Sequence, residues 1–189
     1  MTTAGVVLAG GAGRRMGGVD KAALLVGGVT MLDRVLGAAR PVCDRLVVVG
    51  PVRPTVVAGV EFVSEAEPGG GPVPAVMAGL AAAPECDVAL VLAVDLPLLT
   101  TDHLRLLLVA LNADAVAAAD VGGPNPLLAA YRTSELLSRA GALGLGPGSS
   151  AHRLLPPATP TINVGLATLN VNRPDDLSAA DAATSPGTK

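Results

Sequence analysis

Aromatic side chains are almost missing from this chain of 189 residues, which has one Phe, one Tyr and no Trp. Proteins that bind single-stranded nucleic acid stack its bases on several exposed aromatic side chains, so the composition disfavours that class. A basic surface does not replace the aromatics, because the formal net charge is −3 and the isoelectric point is about 5.3. We therefore expect no nucleic-acid partner and a small-molecule ligand instead.

Cysteines and long apolar runs are scarce as well. The two cysteines, Cys43 and Cys86, form no C-x-x-C pattern, so we predict two reduced thiols that pack as small hydrophobic side chains. The sequence has no uninterrupted apolar run of about eighteen residues, the length that a membrane span requires. The first apolar run is not preceded by the positive charges of a secretory signal. The expected location is therefore the cytoplasm, with no membrane partner.

Short apolar runs typical of buried strands alternate with helical patterns, an order that favours a parallel sheet with right-handed crossovers. The predicted fold class is α/β: one Rossmann-like α/β/α sandwich with a mostly parallel sheet. At this length we expect a single domain over residues 1–183, followed by a disordered tail at 184–189. The predicted strands are 6–8, 46–50, 60–63, 88–94 and 115–119. The predicted helices follow Thr30, Thr101 and Ser134, begin near Pro74, or lie within 149–155.

Residues 6–21 are the most distinctive stretch of the sequence. A β-branched run is followed by a glycine-rich turn, in which the backbone can adopt positive φ and approach a ligand closely. The N–H groups of such a turn can surround an anion, and arginine and lysine bind phosphate. The stretch therefore predicts a triphosphate site. Its polar elements are the glycines at 10, 11 and 13 and the cations Arg14, Arg15 and Lys21.

Two better-known glycine motifs do not fit this stretch. A P-loop requires Lys after its second glycine, and Val19 follows Gly18. A dinucleotide-binding fingerprint requires a third glycine at the position of Met16. A plain turn between strand and helix, with solvated charges, is the remaining structural alternative.

The pattern Leu8-Ala9-Gly10-Gly11-x-x-x-Arg15-Met16-Gly17-x-x-Asp20-Lys21 resembles the signature of nucleotidyltransferases related to the molybdenum cofactor guanylyltransferase. The resemblance implies a fold of the nucleotide-diphospho-sugar transferase type. It also implies that the loop wraps a nucleoside triphosphate, with the Gly10-Gly11 backbone near the base. The nucleotide-binding residues it implies are Leu8, Ala9, Gly10, Gly11, Gly13, Arg15, Lys21, Glu65 and Asp95.

Asp95 directly follows the most apolar predicted strand. Mg²⁺ prefers one or two carboxylates together with phosphate oxygens, but a carboxylate here can also simply cap a turn. The family has an Asp-x-Pro at this place that holds its metal, so the resemblance favours Mg²⁺ as cofactor and Asp95 as its ligand. The catalytic residues it implies are Arg15, Lys21 and Asp95.

Three further segments resemble family elements beside the acceptor or the metal. One of them, residues 122–132, resembles the loop and strand that line the acceptor side. The irregular stretch 64–72 resembles an acidic residue followed by a PGxGP loop, with Glu65 or Glu67 as the acidic residue; a plain surface loop is the alternative. Residues 170–177 resemble the family's N-x-N-x-P-x-D-L element, although a turn into a helix would look similar. The residues implied near the acceptor or metal are Gly71, Pro72, Asn125, Asn170 and Asn172. We also considered that His152 and Arg153 reach an acceptor phosphate.

The chain offers no Ser–His or Cys–His nucleophilic pair, so catalysis would rest on positioning and charge stabilisation, as in other phosphoryl transfers. The resemblance implies transfer of GMP from GTP to molybdopterin, with release of pyrophosphate. It makes other enzymes of molybdenum cofactor synthesis the expected protein partners. The alternatives are a relative that uses CTP or another phosphorylated acceptor (phospholactate or a sugar phosphate), and a non-catalytic nucleotide-binding or partner-binding protein.

Overall fold

The computed structural model describes residues 1–10, 19–66, 69–111, 114–120 and 123–184. Its strands are β1 (Thr3–Leu8), β2 (Leu25–Val26), β3 (Val29–Thr30), β4 (Arg45–Val49), β5 (Val60–Val63), β6 (Val88–Ala93), β7 (Ala115–Asp120), β8 (Gly123–Arg132) and β9 (Thr161–Ile162). Its α-helices are α1 (Met31–Ala39), α2 (Pro72–Ala81), α3 (Thr101–Ala110), α4 (Thr133–Ala142) and α5 (Pro174–Thr184). Short 3₁₀ turns lie at Lys21–Ala23, Arg40–Val42, Ala151–Leu154 and Gly165–Thr168.

The main sheet has seven strands in the order β5-β4-β1-β6-β8-β7-β9, and β2 pairs with β3 in a separate small hairpin. Strands β5, β4, β1 and β6 are mutually parallel, and β7 is parallel to β9. Strand β8 runs antiparallel to both of its neighbours. The predicted α/β class with a mostly parallel sheet is confirmed. The reversal at β8 follows from the connection to β7, because two residues are too few for a parallel crossover.

Helices cover both faces of this sheet, as an α/β/α sandwich requires. Side chains alternate along the strands, so Val7, Val48 and Leu90 pack on the face of α1 and α3. Val6, Val47 and Val91 pack on the face of α2 and α4. Gly79 lets α2 lie directly on β1, since a Cβ at this residue would lie 2.3 Å from Cγ1 of Val6.

Three predicted helix starts differ from the structure. Helix α2 begins at Pro72, whose missing N–H costs nothing at the first position, so Pro74 lies further inside the first turn. Thr100 rather than Thr101 caps α3, because Thr100 has the extended backbone of a cap and pairs reciprocally with His103. Ser134 lies within α4, which begins at Thr133. The predicted helix in 149–155 is reduced to the 3₁₀ turn Ala151–Leu154.

Both cysteines are free and buried, as predicted. Burial raises the pKa of the Cys43 thiol to about 12, which keeps it protonated and unreactive at neutral pH. Helices long and apolar enough to cross a membrane do not occur in the described ranges. Thr184 is the last residue of α5, and residues 185–189 of the predicted tail lie outside the described residues.

Candidate active site

The carboxyl ends of the parallel strands β5, β4, β1 and β6 meet at one edge of the sheet. Ligands of open α/β sheets bind at this edge. Four segments that follow these strands lie there, and they begin at Ser64, Gly50, Ala9 and Val94. The candidate active site is therefore built from the loops that leave adjacent strands.

The side chain of Lys21 is the centre of this site. Its Nζ donates a hydrogen bond to Oδ1 of Asn172 at 2.7 Å and lies 3.4 Å from Oδ2 of Asp95. The Lys21 and Asp95 side chains are 17% and 20% exposed, so water screens their interaction only in part. The fold thus brings together a cation, a carboxylate and an amide from three distant parts of the chain.

Backbone hydrogen bonds hold the carboxylate in this place. Val94 N donates to Leu8 O at 3.1 Å, which extends the pairing of β6 with β1 as far as the residue before Asp95. Val171 N donates to Asp95 O at 2.9 Å, which fixes the segment of Asn172 against the end of β6. Arg34 Nε donates to Pro97 O at 2.6 Å, two residues after Asp95. These bonds therefore fix the positions of the Asp95 carboxylate and the Asn172 amide relative to each other.

Asp95 has an unsatisfied acceptor. Burial raises the pKa of its carboxyl above the usual value, and Lys21 opposes that rise. Its Oδ1 is buried and has no hydrogen-bond partner among the described residues. A buried oxygen of this kind is costly unless a ligand satisfies it. The donor set fits Mg²⁺, which is commonly held by a single carboxylate plus substrate phosphates. The described residues contain no cluster of three or more His, Cys, Asp or Glu that could hold a metal without such help.

Glu65 lies beside the turn that follows β1. A Cβ built on Gly10 would lie 3.4 Å from Oε1 of Glu65, and Oε2 of Glu65 is buried with no hydrogen-bond partner in the described part of the chain. Gly50 has a φ of +149°, and a Cβ there would lie 2.9 Å from the carbonyl carbon of Ala9. This glycine allows the loop after β4 to approach the same turn. Glu67, the alternative acidic residue, lies outside the described residues.

The predicted acceptor-side residues are distributed along the same edge. Gly71 has a φ of +94° and precedes Pro72, the first residue of α2. The adjacent carbonyl of Gly70 accepts a hydrogen bond from Gly148 N at 2.8 Å. Asn125 lies on β8, where its amide donates to Oδ2 of Asp120 at 3.3 Å. The strand directions place both residues at the edge of the sheet where β1 and β6 end.

Other predicted residues have different partners. Asn170 donates to Thr168 O at 2.9 Å, so the structure connects Asn172 and not Asn170 with Lys21. Arg153 donates to Leu143 O at 3.3 Å, in the turn after α4. Leu8 is the last residue of β1, and Ala9 directly after it donates a backbone hydrogen bond to Val49 O at 2.9 Å. Gly11, Gly13 and Arg15 lie outside the described residues.

An ion pair next to Lys21 was not anticipated from the sequence. Arg53 holds Asp20 through two hydrogen bonds, from Nε to Oδ2 at 2.7 Å and from Nη2 to Oδ1 at 2.9 Å. The pair lowers the pKa of the Asp20 carboxyl below its usual value. The available signal in the sequence is an aspartate directly before Lys21, but nothing in the sequence indicates that Arg53 is its partner.

A family model matches most of the chain. Residues 5–156 match the model of the MobA-like NTP transferase domain, a range that includes β1, Lys21, Glu65 and Asp95. The chain belongs to the MobA-like NTP transferase family. The resemblance seen in the sequence is thereby confirmed, and the chain is a nucleotidyltransferase of this family.

Curated proteins and solved structures that are similar to this chain cover most of its length. A "Probable molybdenum cofactor guanylyltransferase" of Mycobacterium tuberculosis H37Rv is 38% identical over 170 residues, which are 87% of this chain and 84% of the relative. The crystal structure of molybdopterin-guanine dinucleotide biosynthesis protein A from Archaeoglobus fulgidus is 25% identical, with a TM-score of 0.69 over 95% of this chain and 97% of that one. A 2-C-methyl-D-erythritol 4-phosphate cytidylyltransferase from Thermus thermophilus is 21% identical, with a TM-score of 0.65 over 97% and 98% of the two chains. At that identity the last protein shows a shared fold alone.

Proposed function

We propose that this protein transfers GMP from GTP to molybdopterin and releases pyrophosphate, with Mg²⁺ as cofactor. The observation that carries the proposal is the placement of the Lys21 ammonium between Asp95 and Asn172, in a member of an NTP transferase family. A triphosphate requires positive charge, and a metal requires an anionic oxygen with a free lone pair. Lys21 and Oδ1 of Asp95 offer these two features side by side.

The reaction follows from the charges at this edge of the sheet. A phosphate oxygen of the acceptor attacks the α-phosphorus of GTP, and the bond to the oxygen that bridges the α- and β-phosphates breaks. Lys21, together with Arg15, would stabilise the charge that develops on the departing pyrophosphate. Asp95 would hold Mg²⁺ through Oδ1, and the bound ion would offset charge on the α-phosphate. Asn172 would keep the Lys21 ammonium oriented while Lys21 exchanges its contact with Asp95 for phosphate oxygens.

Glu65 supports guanine as the base. A carboxylate only accepts hydrogen bonds, and Oε2 of Glu65 is buried without a partner among the described residues. Guanine presents N–H donors at N1 and N2 on one edge, which can satisfy both oxygens of a carboxylate. The corresponding edge of cytosine presents a single amino donor beside two acceptors, and these acceptors would face the carboxylate unfavourably.

The names of two similar proteins support molybdopterin as the acceptor. The proteins from M. tuberculosis and A. fulgidus carry names that refer to the molybdenum cofactor and to molybdopterin-guanine dinucleotide. Gly71 follows β5 and Asn125 lies near the start of β8, so the segments that we assign to the acceptor begin at the edge of the sheet where β1 and β6 end. Molybdopterin, a phosphorylated small molecule, is therefore the acceptor that we propose.

The test combines each of GTP, CTP, ATP and UTP with Mg²⁺ and each of molybdopterin, phospholactate and a sugar phosphate. Pyrophosphate release is measured, and the product is identified by mass. We expect release with GTP and molybdopterin, at least about 10²-fold less with Lys21→Ala, and a product of molybdopterin plus GMP. A product with CTP or with another acceptor would contradict the proposed substrates, and binding of a triphosphate without any transfer would contradict catalysis.

A further inference from the structure

Residues 50–59 form the loop between β4 and β5, which leaves the sheet at the edge of the candidate active site. Several hydrogen bonds fix this loop to the rest of the protein. Thr55 Oγ1 donates to Oδ1 of Asp33 at 2.5 Å, and Val56 N donates to the same oxygen at 3.2 Å. Asp33 itself lies in the first turn of α1 and pairs with the Thr30 cap. The loop is thus attached to the start of a buried helix and can act as a rigid support.

Arg53 extends from this supported loop towards the site. Its Nη1 donates to Pro51 O at 3.0 Å, which fixes the guanidinium to its own loop. Its Nε and Nη2 engage both oxygens of Asp20, and the arginine side chain is only 14% exposed against 47% for the aspartate. A two-point contact between guanidinium and carboxylate fixes orientation as well as distance.

Asp20 passes this constraint to Lys21. The Oδ1 that accepts from Arg53 also accepts from Ala22 N at 3.2 Å and so caps the 3₁₀ turn Lys21–Ala23. The Asp20 carboxylate therefore connects Arg53 to the turn on both sides of Lys21, because it belongs to the residue before Lys21 and accepts a hydrogen bond from the residue after it. The direction in which the Lys21 side chain leaves the backbone, towards Asp95 and Asn172, depends on this turn.

We propose that Arg53 is a positioning residue for Lys21, and that it acts through Asp20 without contacting the triphosphate. This inference rests on the proposed function insofar as Lys21 serves the transfer reaction. Displacement of a catalytic group by about 1 Å can cost on the order of 10²-fold in rate. Because Lys21 would act on charge that develops in the transition state, loss of Arg53 is expected to lower kcat and to change KM little.

The kinetic experiment places Arg53→Ala in two backgrounds, the natural sequence and Lys21→Ala. In the natural sequence we expect Arg53→Ala to lower kcat for GTP and molybdopterin about tenfold. Arg53→Lys keeps the positive charge and should therefore lower kcat less. In the second background we expect no further loss, because a residue that acts through Lys21 has nothing left to position. The matched control is Arg45→Ala, since Arg45 also binds carboxylates, those of Glu61 and Glu85, but at the opposite edge of the sheet.

A second readout does not depend on activity. The sequence contains only two lysines, Lys21 and Lys189, so reductive methylation followed by mass spectrometry measures the reactivity of the Lys21 amine with Lys189 as internal reference. We expect Arg53→Ala to raise the relative methylation rate of Lys21 by about threefold or more, because local opening exposes the amine. Arg45→Ala should leave that ratio unchanged.

The outcomes separate the two proposals. Additive losses of kcat in the Lys21→Ala background, or an unchanged methylation ratio in Arg53→Ala, would overturn the positioning role. Absence of transfer by the natural protein would refute the proposed function, and the methylation ratio would still decide whether Arg53 holds Lys21. A fall in kcat that the Arg45→Ala control reproduces would also count against a specific role for Arg53.

Discussion

The ammonium of Lys21 lies 2.7 Å from Oδ1 of Asn172, although 151 positions separate the two residues in the chain. This hydrogen bond joins the segment after β1 to the segment that leads into α5. Lys21 also faces Asp95 at the end of β6, so one side chain connects three loops of the sheet edge. Substitutions in this group should therefore affect catalysis more than they affect folding.

Lys21→Ala and Asp95→Ala should each lower turnover by ~10²-fold or more, the scale for loss of one preorganised charge at a reacting phosphate. Pyrophosphate release under saturating GTP and Mg²⁺ measures the effect. Arg105→Ala removes an exposed arginine that pairs with Asp102 on α3 and serves as control. Near-normal release from either site variant would contradict the roles given to these residues.

Asn172→Ala and Asn170→Ala provide a matched pair. Loss of the Asn172 amide removes a charge-assisted hydrogen bond to Lys21, and such bonds contribute about 1.5–3 kcal/mol, so turnover should fall roughly tenfold or more. Asn170 donates to a backbone carbonyl of its own segment, so the fall in turnover should be smaller for Asn170→Ala than for Asn172→Ala. Equal losses in the two variants would argue against a specific contact of Asn172 with Lys21.

Glu65→Gln tests the recognition of the base. The glutamine has one acceptor and an N–H₂ group, which would oppose one of the two donors of guanine. We expect the ratio of kcat/KM for GTP to that for CTP to fall about tenfold or more, since an unpaired buried donor costs about 1–3 kcal/mol. Glu61→Gln on β5 is the control, because that carboxylate pairs with Arg45. An unchanged ratio would leave Glu65 without a role in discrimination.

Gly79→Ala should destabilise the fold through the contact of α2 with β1. The added Cβ would lie 2.3 Å from Cγ1 of Val6, and overpacking of this kind costs typically ~1–3 kcal/mol. Gly37→Ala in α1 meets no atom within 4 Å and should instead stabilise by about 0.5–1 kcal/mol through the helical preference of alanine. The measurement is urea unfolding followed by circular dichroism, which suits a protein without Trp. An unchanged urea midpoint for Gly79→Ala would show that α2 can move away from β1 without a loss of stability.

Much of the fold follows from local patterns in the sequence. The apolar runs that became β1, β4 and β6 are β-branched and bounded by turn residues, so their place in a parallel sheet was predictable. The resemblance implied a strand within 122–132, but the antiparallel direction of β8 was not predicted, although the two-residue connection to β7 requires it. The helix starts differ by one or two residues because Thr100, Thr101 and Ser134 all have cap-forming side chains, and tertiary packing selects among them.

The site was predictable where a motif marks it and not elsewhere. Lys21 and Asp95 follow strands in recognisable patterns, and the structure brings them together as the sequence suggested. Arg53 occurs in a loop without a motif, and its pairing with Asp20 depends on how that loop folds over α1. Long-range pairs of this kind arise from tertiary geometry, which local patterns do not encode.

The backbone hydrogen bond from Val171 N to Asp95 O has a consequence for the order in which the enzyme becomes competent. Synthesis on the ribosome delivers Lys21 and Asp95 well before the segment that contains Asn172. Until that late segment docks beside Asp95 at the end of β6, Lys21 lacks its amide partner and the candidate active site is incomplete. A nascent chain should therefore remain inactive, and the proposed transfer reaction should begin only after translation has delivered this segment.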